Sequence, residues 1–214
     1  MVYKVEDIVR RVRTEIDRNT QSAQLAEFGD LETLSLDALI REKIPQAARL
    51  VVLRAPLHLL GWGIPFGEAV EWLTEYSGHT ILPDDFLRLL SFKMDDWSQP
   101  VTEIIESGTP EYERQQCPFA GIRGNASHPT CAIVHTPTGL MLEWYGNKSS
   151  NAHIATAQYL PVPRIDALGR IVIPEKVYAA VVLLTASLVA AVYQSDLADS
   201  LEARANQILG LDGQ

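Results

Sequence analysis

The sequence predicts an α+β protein in which a helical bundle carries an inserted, antiparallel β-rich region. Apolar residues recur at helical spacing over most of the first part of the chain and again beyond Pro174, whereas the middle alternates and contains turn residues. Three apolar helical faces, far apart in sequence, each need a partner. We therefore predict a bundle of two N-terminal helices and one long C-terminal helix from residues 1–69 and 174–214, with residues 70–173 as the β-rich insertion.

The first two helices are predicted from apolar periodicity. Residues 5–18 place one apolar stripe opposite a face that mixes arginines with acids, which is typical of a solvated surface. After a polar linker at residues 19–33, a second helix is predicted over residues 35–55, with a serine as its N-cap. Pro45 lies inside this pattern and predicts a kink or a break, because proline removes one helical hydrogen bond.

Residues 80–101 mark the change from helical to β sequence. Pro83 interrupts a short extended run, and Asp84 and Asp85 can accept hydrogen bonds from free backbone N–H groups at the start of one helical turn. Residues 90–95 then alternate between apolar and polar, which is the period of a strand with one buried face. The stretch therefore predicts a strand, a single helical turn and a second strand.

The middle of the chain contains two hairpin patterns, one at residues 70–82 with a turn at Ser77 and Gly78, and one at residues 130–145, where the sequence Thr136–Gly139 supplies the turn. Thr109 and Pro110 predict the start of a helix of about two turns, with a capping residue followed by proline at the first position. A further strand is predicted at residues 153–161, and its prolines suit a sheet edge.

The final helix is predicted from Pro174 to about Leu209, and its first part is almost entirely apolar. The apolar run at 177–193 is shorter than the ~20 residues that usually span a bilayer, so burial is favoured over a membrane. A helix that is apolar all round needs cover on several sides, and a neighbouring subunit is the expected cover for one of them. The predicted subunit interface comprises Val181, Leu184, Leu188, Val189 and Val192.

Composition and motifs favour a non-enzymatic protein without a metal or cofactor. The chain of 214 residues has a formal net charge of -9, which argues against a surface that grips nucleic acid. Cys117 and Cys131 form no metal-binding pair and are expected to be reduced packing thiols. The five histidines show no ligand spacing, and no P-loop, zinc-protease or serine-hydrolase motif is present.

Two alternatives stay open at this point. Asp84, Asp85, Asp95 and Asp96 bracket a turn and a strand, and carboxylates of this kind can hold Mg²⁺ for phosphoryl hydrolysis. The competing interpretation is structural, with one pair capping a turn and the other ending a strand. The second alternative is a peripheral membrane protein that uses the apolar helix.

Several motifs resemble a known family of structural virion proteins. They are Ile44–Arg49 (IPQAAR), Ala55–Leu60 (APLHLL), Leu82–Leu89 (LPDDFLRL) and Gly121–Asn125 (GIRGN). With the order helices, β insertion, C-terminal helix, the chain resembles head-to-tail adaptor proteins of tailed bacteriophages, and more specifically the neck ring proteins of crAss-like and other phages of gut Bacteroidetes.

The resemblance implies a homo-oligomeric ring in the virion neck, typically of twelve subunits, made in the cytoplasm of the bacterial host. Such a ring binds the portal protein and further neck or tail proteins, without a membrane. It lets double-stranded genomic DNA pass through its lumen without specific binding. The acidic charge fits this role, because a lumen that repels phosphate does not trap DNA.

Overall fold

Helices predominate towards both ends of the described chain and strands predominate in its middle, so the α+β prediction is confirmed. The structure, a computed structural model, describes residues 1–19, 36–137, 139–192 and 195–211. Most of the predicted 19–33 linker and the predicted Ser35 cap lie outside the described residues. The helices are α1 (Val5–Asn19), α2 (Leu36–Arg54), α3 (Leu57–Leu60), α4 (Pro110–Gln115), α5 (Tyr178–Ala190) and α6 (Ser195–Leu209).

The strands form three small sheets. They are β1 (Val2–Lys4), β2 (Ile64–Pro65), β3 (Glu71–Trp72), β4 (Ser77–Ile81), β5 (Phe86–Met94), β6 (Ile104–Glu106), β7 (Thr130–Thr136), β8 (Gly139–Tyr145), β9 (Ile154–Pro161) and β10 (Arg170–Val172). β1 pairs with β10, a second sheet has the order β2-β9-β5, and a third has the order β3-β4-β8-β7-β6. All described pairings are antiparallel except that of β6 with β7.

The chain divides into two compact units, one formed by Met1–Gly61 and Pro163–Gln214 and the other by Trp62–Val162. We call them the helical unit and the β-rich unit. The β-rich unit begins and ends several residues earlier than the predicted 70–173. The reason is long-range strand pairing: β2 joins β9, and β10 joins β1, and neither pairing is visible as a local pattern.

In the helical unit, α1 buries the predicted apolar stripe, and α2 continues as one helix through Pro45 without a break. The predicted long C-terminal helix is wrong in one respect, because it is two helices. A 3-10 turn at Glu175–Val177 precedes α5, and the chain turns at residues 191–192 so that α6 packs on α5. A single helix to Leu209 would be about 50 Å long and would leave much apolar surface uncovered.

In the β-rich unit, both predicted hairpins are present, as β3–β4 and β7–β8, but the turn of the first differs from the prediction, because Ser77 and Gly78 lie in β4 and not in the turn. The predicted strand at 153–161 is also present as β9, but it is the central strand of its sheet and not an edge. Pro161 is tolerated there because it is the last residue of β9, opposite Phe86 at the start of β5.

Two predicted helical turns had different outcomes. Around Asp84 the backbone forms a β-turn instead of a helical turn, in which the N–H of Phe86 donates to the carbonyl of Pro83 at 2.9 Å. The helix after Thr109 is confirmed as α4, and the Thr109 hydroxyl accepts from the N–H of Tyr112 at 3.3 Å.

Aromatic rings form much of the core of the β-rich unit. Phe92 is fully buried, with its ring centroid 5.1 Å from that of Trp144 and 5.7 Å from that of Trp97. Leu142 and Met94 complete the centre of this cluster. Among the described residues, no helix is both long enough and apolar enough to cross a membrane.

Candidate functional site

The four aspartates of the predicted hydrolase site lie at opposite ends of β5. Asp85 precedes the strand, and its carboxylate accepts a hydrogen bond from the hydroxyl of Tyr159 at 2.8 Å. Burial, together with this hydrogen bond and the negative charge of Asp85, raises the pKa of Tyr159 to about 12. The side chain of Asp84 is exposed and accepts no hydrogen bond within the described part of the chain.

The other two aspartates hold the loop that follows β8. Asp96 accepts from the side-chain amide of Asn147 at 2.9 Å and from the backbone N–H of Lys148 at 2.7 Å. Asp95 accepts from the backbone N–H of His153 at 3.1 Å. Nine residues of β5 separate the two pairs, which is about 30 Å of extended chain, so the four carboxylates cannot share one metal ion. The predicted hydrolase site is therefore not assembled.

The predicted subunit interface on α5 lies mostly inside the chain. Val181, Leu184 and Val189 are buried, Leu188 is half-buried, and only Val192, which follows α5, is exposed. The prediction assumed that one bundle could not cover two sides of this helix. The prediction did not include the cover that α6 gives to α5, because the long C-terminal segment folds back on itself.

Three helices surround α5: α1, α2 and the returning α6. Its two polar residues are satisfied internally, with the Thr185 hydroxyl donating to the carbonyl of Val181 at 2.7 Å and the Ser187 hydroxyl donating to that of Ala198 at 2.9 Å. α5 therefore gives no support for a subunit contact. The membrane alternative assumed an apolar helix that is free to meet lipid, whereas α5 is buried among α1, α2 and α6.

In the part of the chain that the structure describes, no three His, Cys, Asp or Glu side chains are placed to hold a metal ion. His79 contacts the carboxylate of Glu71, at 3.1 Å between Nε2 and Oε2. Cys131 is buried, and burial raises the pKa of its thiol, so that it stays protonated and unreactive.

Sequence reasoning missed one polar cluster in the β-rich unit. The carboxylate of Glu143 on β8 accepts from the hydroxyls of Tyr145 at 2.6 Å and Tyr112 at 3.0 Å, and Gln116 donates to Tyr145 at 3.3 Å. Burial and the hydrogen bond to Glu143 raise the pKa of both tyrosines, so they remain neutral donors. The cluster therefore fastens α4 to the sheet, and its members are linked only through the fold, not through sequence spacing.

A second feature is a small exposed sheet face in the helical unit, which we call the β1–β10 face. Its four residues are two cross-strand pairs, Val2 opposite Val172 and Lys4 opposite Arg170. The two valines are 60% and 63% exposed. The alternate residues point inward, since Ile171 is buried and the ring of Tyr3 stacks on Tyr178 of α5 with centroids 4.2 Å apart.

The third feature is the loop after α4, residues 117–124, which presents Phe119 and Ile122 at 69% and 57% exposure. We call it the 117–124 loop. Its base is fixed, because Gln115 accepts from the N–H of Gly124 at 2.7 Å and the Arg123 guanidinium lies 3.5 Å from the centre of the Tyr76 ring. Only glycine fits at 124, where a Cβ would approach the carbonyl of Tyr145 to 2.9 Å.

Comparison with other proteins adds no relative to this picture. No protein-family model matches the sequence, and no curated protein matches it significantly.

Proposed function

We propose that the chain is a structural virion protein: a head-to-tail adaptor that forms a ring of the neck below the portal, through which genomic DNA passes. In this role it binds further copies of itself, the portal protein and the next neck or tail component. The proposal assigns no reaction to the chain and no cofactor.

The observation that carries the proposal is the division of one chain into a helical unit, built from both ends of the sequence, and a β-rich unit built from its middle. This is the order of elements that the resemblance to phage adaptors implies. The motifs behind that resemblance fall at structural positions. Pro83 and Phe86, for example, close the turn that leads into β5.

The roles of the acidic residues also support a structural protein. Asp85, Asp95 and Asp96 each accept hydrogen bonds that hold a strand or loop in place. Each of these carboxylates has a partner in the fold that accounts for its position, so no catalytic role is needed to explain it. The net charge of -9 is suited to a wall past which a polyanion moves without binding.

The proposal is tested by co-expressing the chain with the portal protein of the genome that encodes it and imaging the purified complex by electron microscopy. We expect an additional ring stacked on the portal. Incubation of the same complex with linear double-stranded DNA and Mg²⁺ should leave the DNA intact. A chain that never co-purifies with the portal, or that cleaves DNA in a Mg²⁺-dependent manner, contradicts the proposal.

A further inference from the structure

The β1–β10 face combines like charges and exposed apolar side chains, which are unfavourable on a surface that has no partner. Lys4 and Arg170 lie directly opposite each other on neighbouring strands, and like charges in that position destabilise a sheet. Asp166 pairs with Arg170 at 2.8 Å, but Lys4 forms no ion pair within the described part of the chain. The acids that follow Lys4 are engaged elsewhere, Glu6 with Arg41 and Asp7 with Arg10.

Beside these cations lies the exposed Val2–Val172 pair, so the face is both apolar and basic on a chain that is acidic overall. Among the described residues, β1 pairs with no strand other than β10. Met1 and Ile173 exchange backbone hydrogen bonds, which turns the N–H and C=O of Val2 away from β10. An apolar strip beside unneutralised positive charge fits a partner that is apolar and acidic.

The 117–124 loop has the complementary character. Phe119 and Ile122 are exposed, and the adjoining helix α4 carries Glu111 and Glu113, both exposed and without ion pairs in the described residues. Arg114 is the one basic residue of α4, which therefore has one more acidic than basic side chain, and the loop adds Arg123, whose guanidinium lies over the Tyr76 ring.

The loop is also held in one conformation before any partner arrives. In addition to the contacts of Gln115 and Arg123, the side-chain amide of Asn125 donates to the carbonyl of Ala120 at 3.1 Å, and the N–H of Ile122 donates to the carbonyl of Phe119 at 2.9 Å. A preorganised loop loses little conformational entropy on binding, which favours its use as a contact.

We infer that the 117–124 loop of one copy docks on the β1–β10 face of the next. Phe119 and Ile122 cover the Val2–Val172 pair, while Glu111 and Glu113 neutralise Lys4. Because the two surfaces differ, the contact is heterologous, and it builds chains or closed rings instead of two-fold dimers. The inference rests on the proposed function for its ring, but it can be tested on the chain alone.

The test measures self-association of the full chain by sedimentation velocity over a range of concentrations, at low and at high salt. We expect dimers and larger species that grow with concentration and are weakened by salt, since the contact joins opposite charges. Val172→Glu should weaken association at least tenfold, and so should the double variant Phe119→Ala/Ile122→Ala. Circular dichroism should show that both variants remain folded, because the changed residues are exposed.

Matched controls separate this contact from general surface stickiness. Val192→Glu makes the same change at another exposed valine of the helical unit, and Leu73→Ala/Ile81→Ala removes two other exposed apolar side chains of the β-rich unit. Both controls should associate like the unmodified chain.

Mixing gives the sharpest readout. Each weakened variant retains one intact surface, so an equimolar mixture of Val172→Glu with Phe119→Ala/Ile122→Ala should form dimers and nothing larger. The inference is overturned if the unmodified chain is monomeric at about 1 mM, if either surface variant associates normally, or if the mixture forms no dimers.

Failure of this contact is distinguishable from failure of the adaptor role. If the chain forms rings on the portal that Val172→Glu does not disturb, the contact is wrong and the adaptor role stands. If the chain associates through these surfaces but never binds the portal, the contact stands and the adaptor role is wrong.

Discussion

The most apolar segment of the chain and two of its exposed apolar surfaces are different regions. α5 is conspicuous in the sequence, yet 11 of its residues are buried and its neighbours are α1, α2 and α6 of the same chain. The β1–β10 face and the 117–124 loop each contribute only a few apolar residues, and they leave them exposed. Average hydrophobicity therefore reports how deeply an element lies in its own fold, and not where a partner binds.

The difference has a simple physical origin. A helix that is apolar on all sides is stable in water only when each side is covered, and a chain that turns back after residues 191–192 supplies that cover itself. A short strand or loop can expose two apolar side chains at little risk of aggregation. Such pairs can serve as contacts because the surrounding charges select the partner. Three pairs of identical residue types, in each of which one residue is more enclosed than the other, test this contrast.

The largest expected effect is on α5. Val189→Glu places a carboxylate where the side chain is 1% exposed, which should cost more than about 5 kcal/mol and unfold the helical unit. Val192→Glu makes the same substitution at a residue that is 58% exposed, and it should change the free energy of unfolding by less than about 0.5 kcal/mol. The free energy of unfolding of both variants is measured by following the circular dichroism signal of the helices during urea titration. A folded, stable Val189→Glu would mean that α5 is not enclosed.

The next effect concerns two phenylalanines of the β-rich unit. Phe92→Ala leaves a cavity beside Trp97 and Trp144 and should cost about 3–5 kcal/mol. Phe119→Ala removes an exposed ring and should cost less than about 0.5 kcal/mol. All four tryptophans lie in the β-rich unit, so tryptophan fluorescence follows the unfolding of that unit specifically. Equal destabilisation by the two substitutions would contradict the assignment of Phe92 to the core.

The smallest effect distinguishes two neighbouring aspartates. Asp85→Ala leaves the largely buried hydroxyl of Tyr159 without its acceptor and should cost about 1–2 kcal/mol. Asp84→Ala should be neutral within about 0.5 kcal/mol, because its side chain is exposed. Urea unfolding of the two variants in parallel measures the difference. If Asp84→Ala lowered the free energy of unfolding more than Asp85→Ala does, the result would contradict the β-turn at Pro83 and favour the capped helical turn that the sequence predicts.

Much of the fold could be predicted because its signals are local. The stripe of α1, the Thr109–Pro110 start of α4 and the β7–β8 hairpin each depend on residues close in sequence. Three features were missed because their causes are distant. β1 has only three residues and exists because it pairs with β10, and β9 becomes a central strand only when β2 joins it. The turn between α5 and α6 contains neither glycine nor proline at residues 191–192.

The candidate surfaces were harder to predict than the elements. The sequence shows the four aspartates as two adjacent pairs. That the pairs are far apart in space follows only from the structure, in which β5 runs between them as one continuous strand. The Lys4–Arg170 opposition depends on the register of β1 with β10, which no local pattern encodes. The exposure of Phe119 and Ile122 follows from how Gln115 and Arg123 hold the loop, and neither contact has a sequence signature.

Hydrogen–deuterium exchange on the associated chain tests the central claim most directly, since it reports every region in one measurement. Protection should be compared between dilute monomer and concentrated or portal-bound protein. We expect slower exchange in residues 1–4, 170–173 and 117–124 on association, and unchanged exchange in α5, whose amides are already enclosed. New protection confined to residues 178–190, with none in the β1–β10 face or the 117–124 loop, would contradict this expectation.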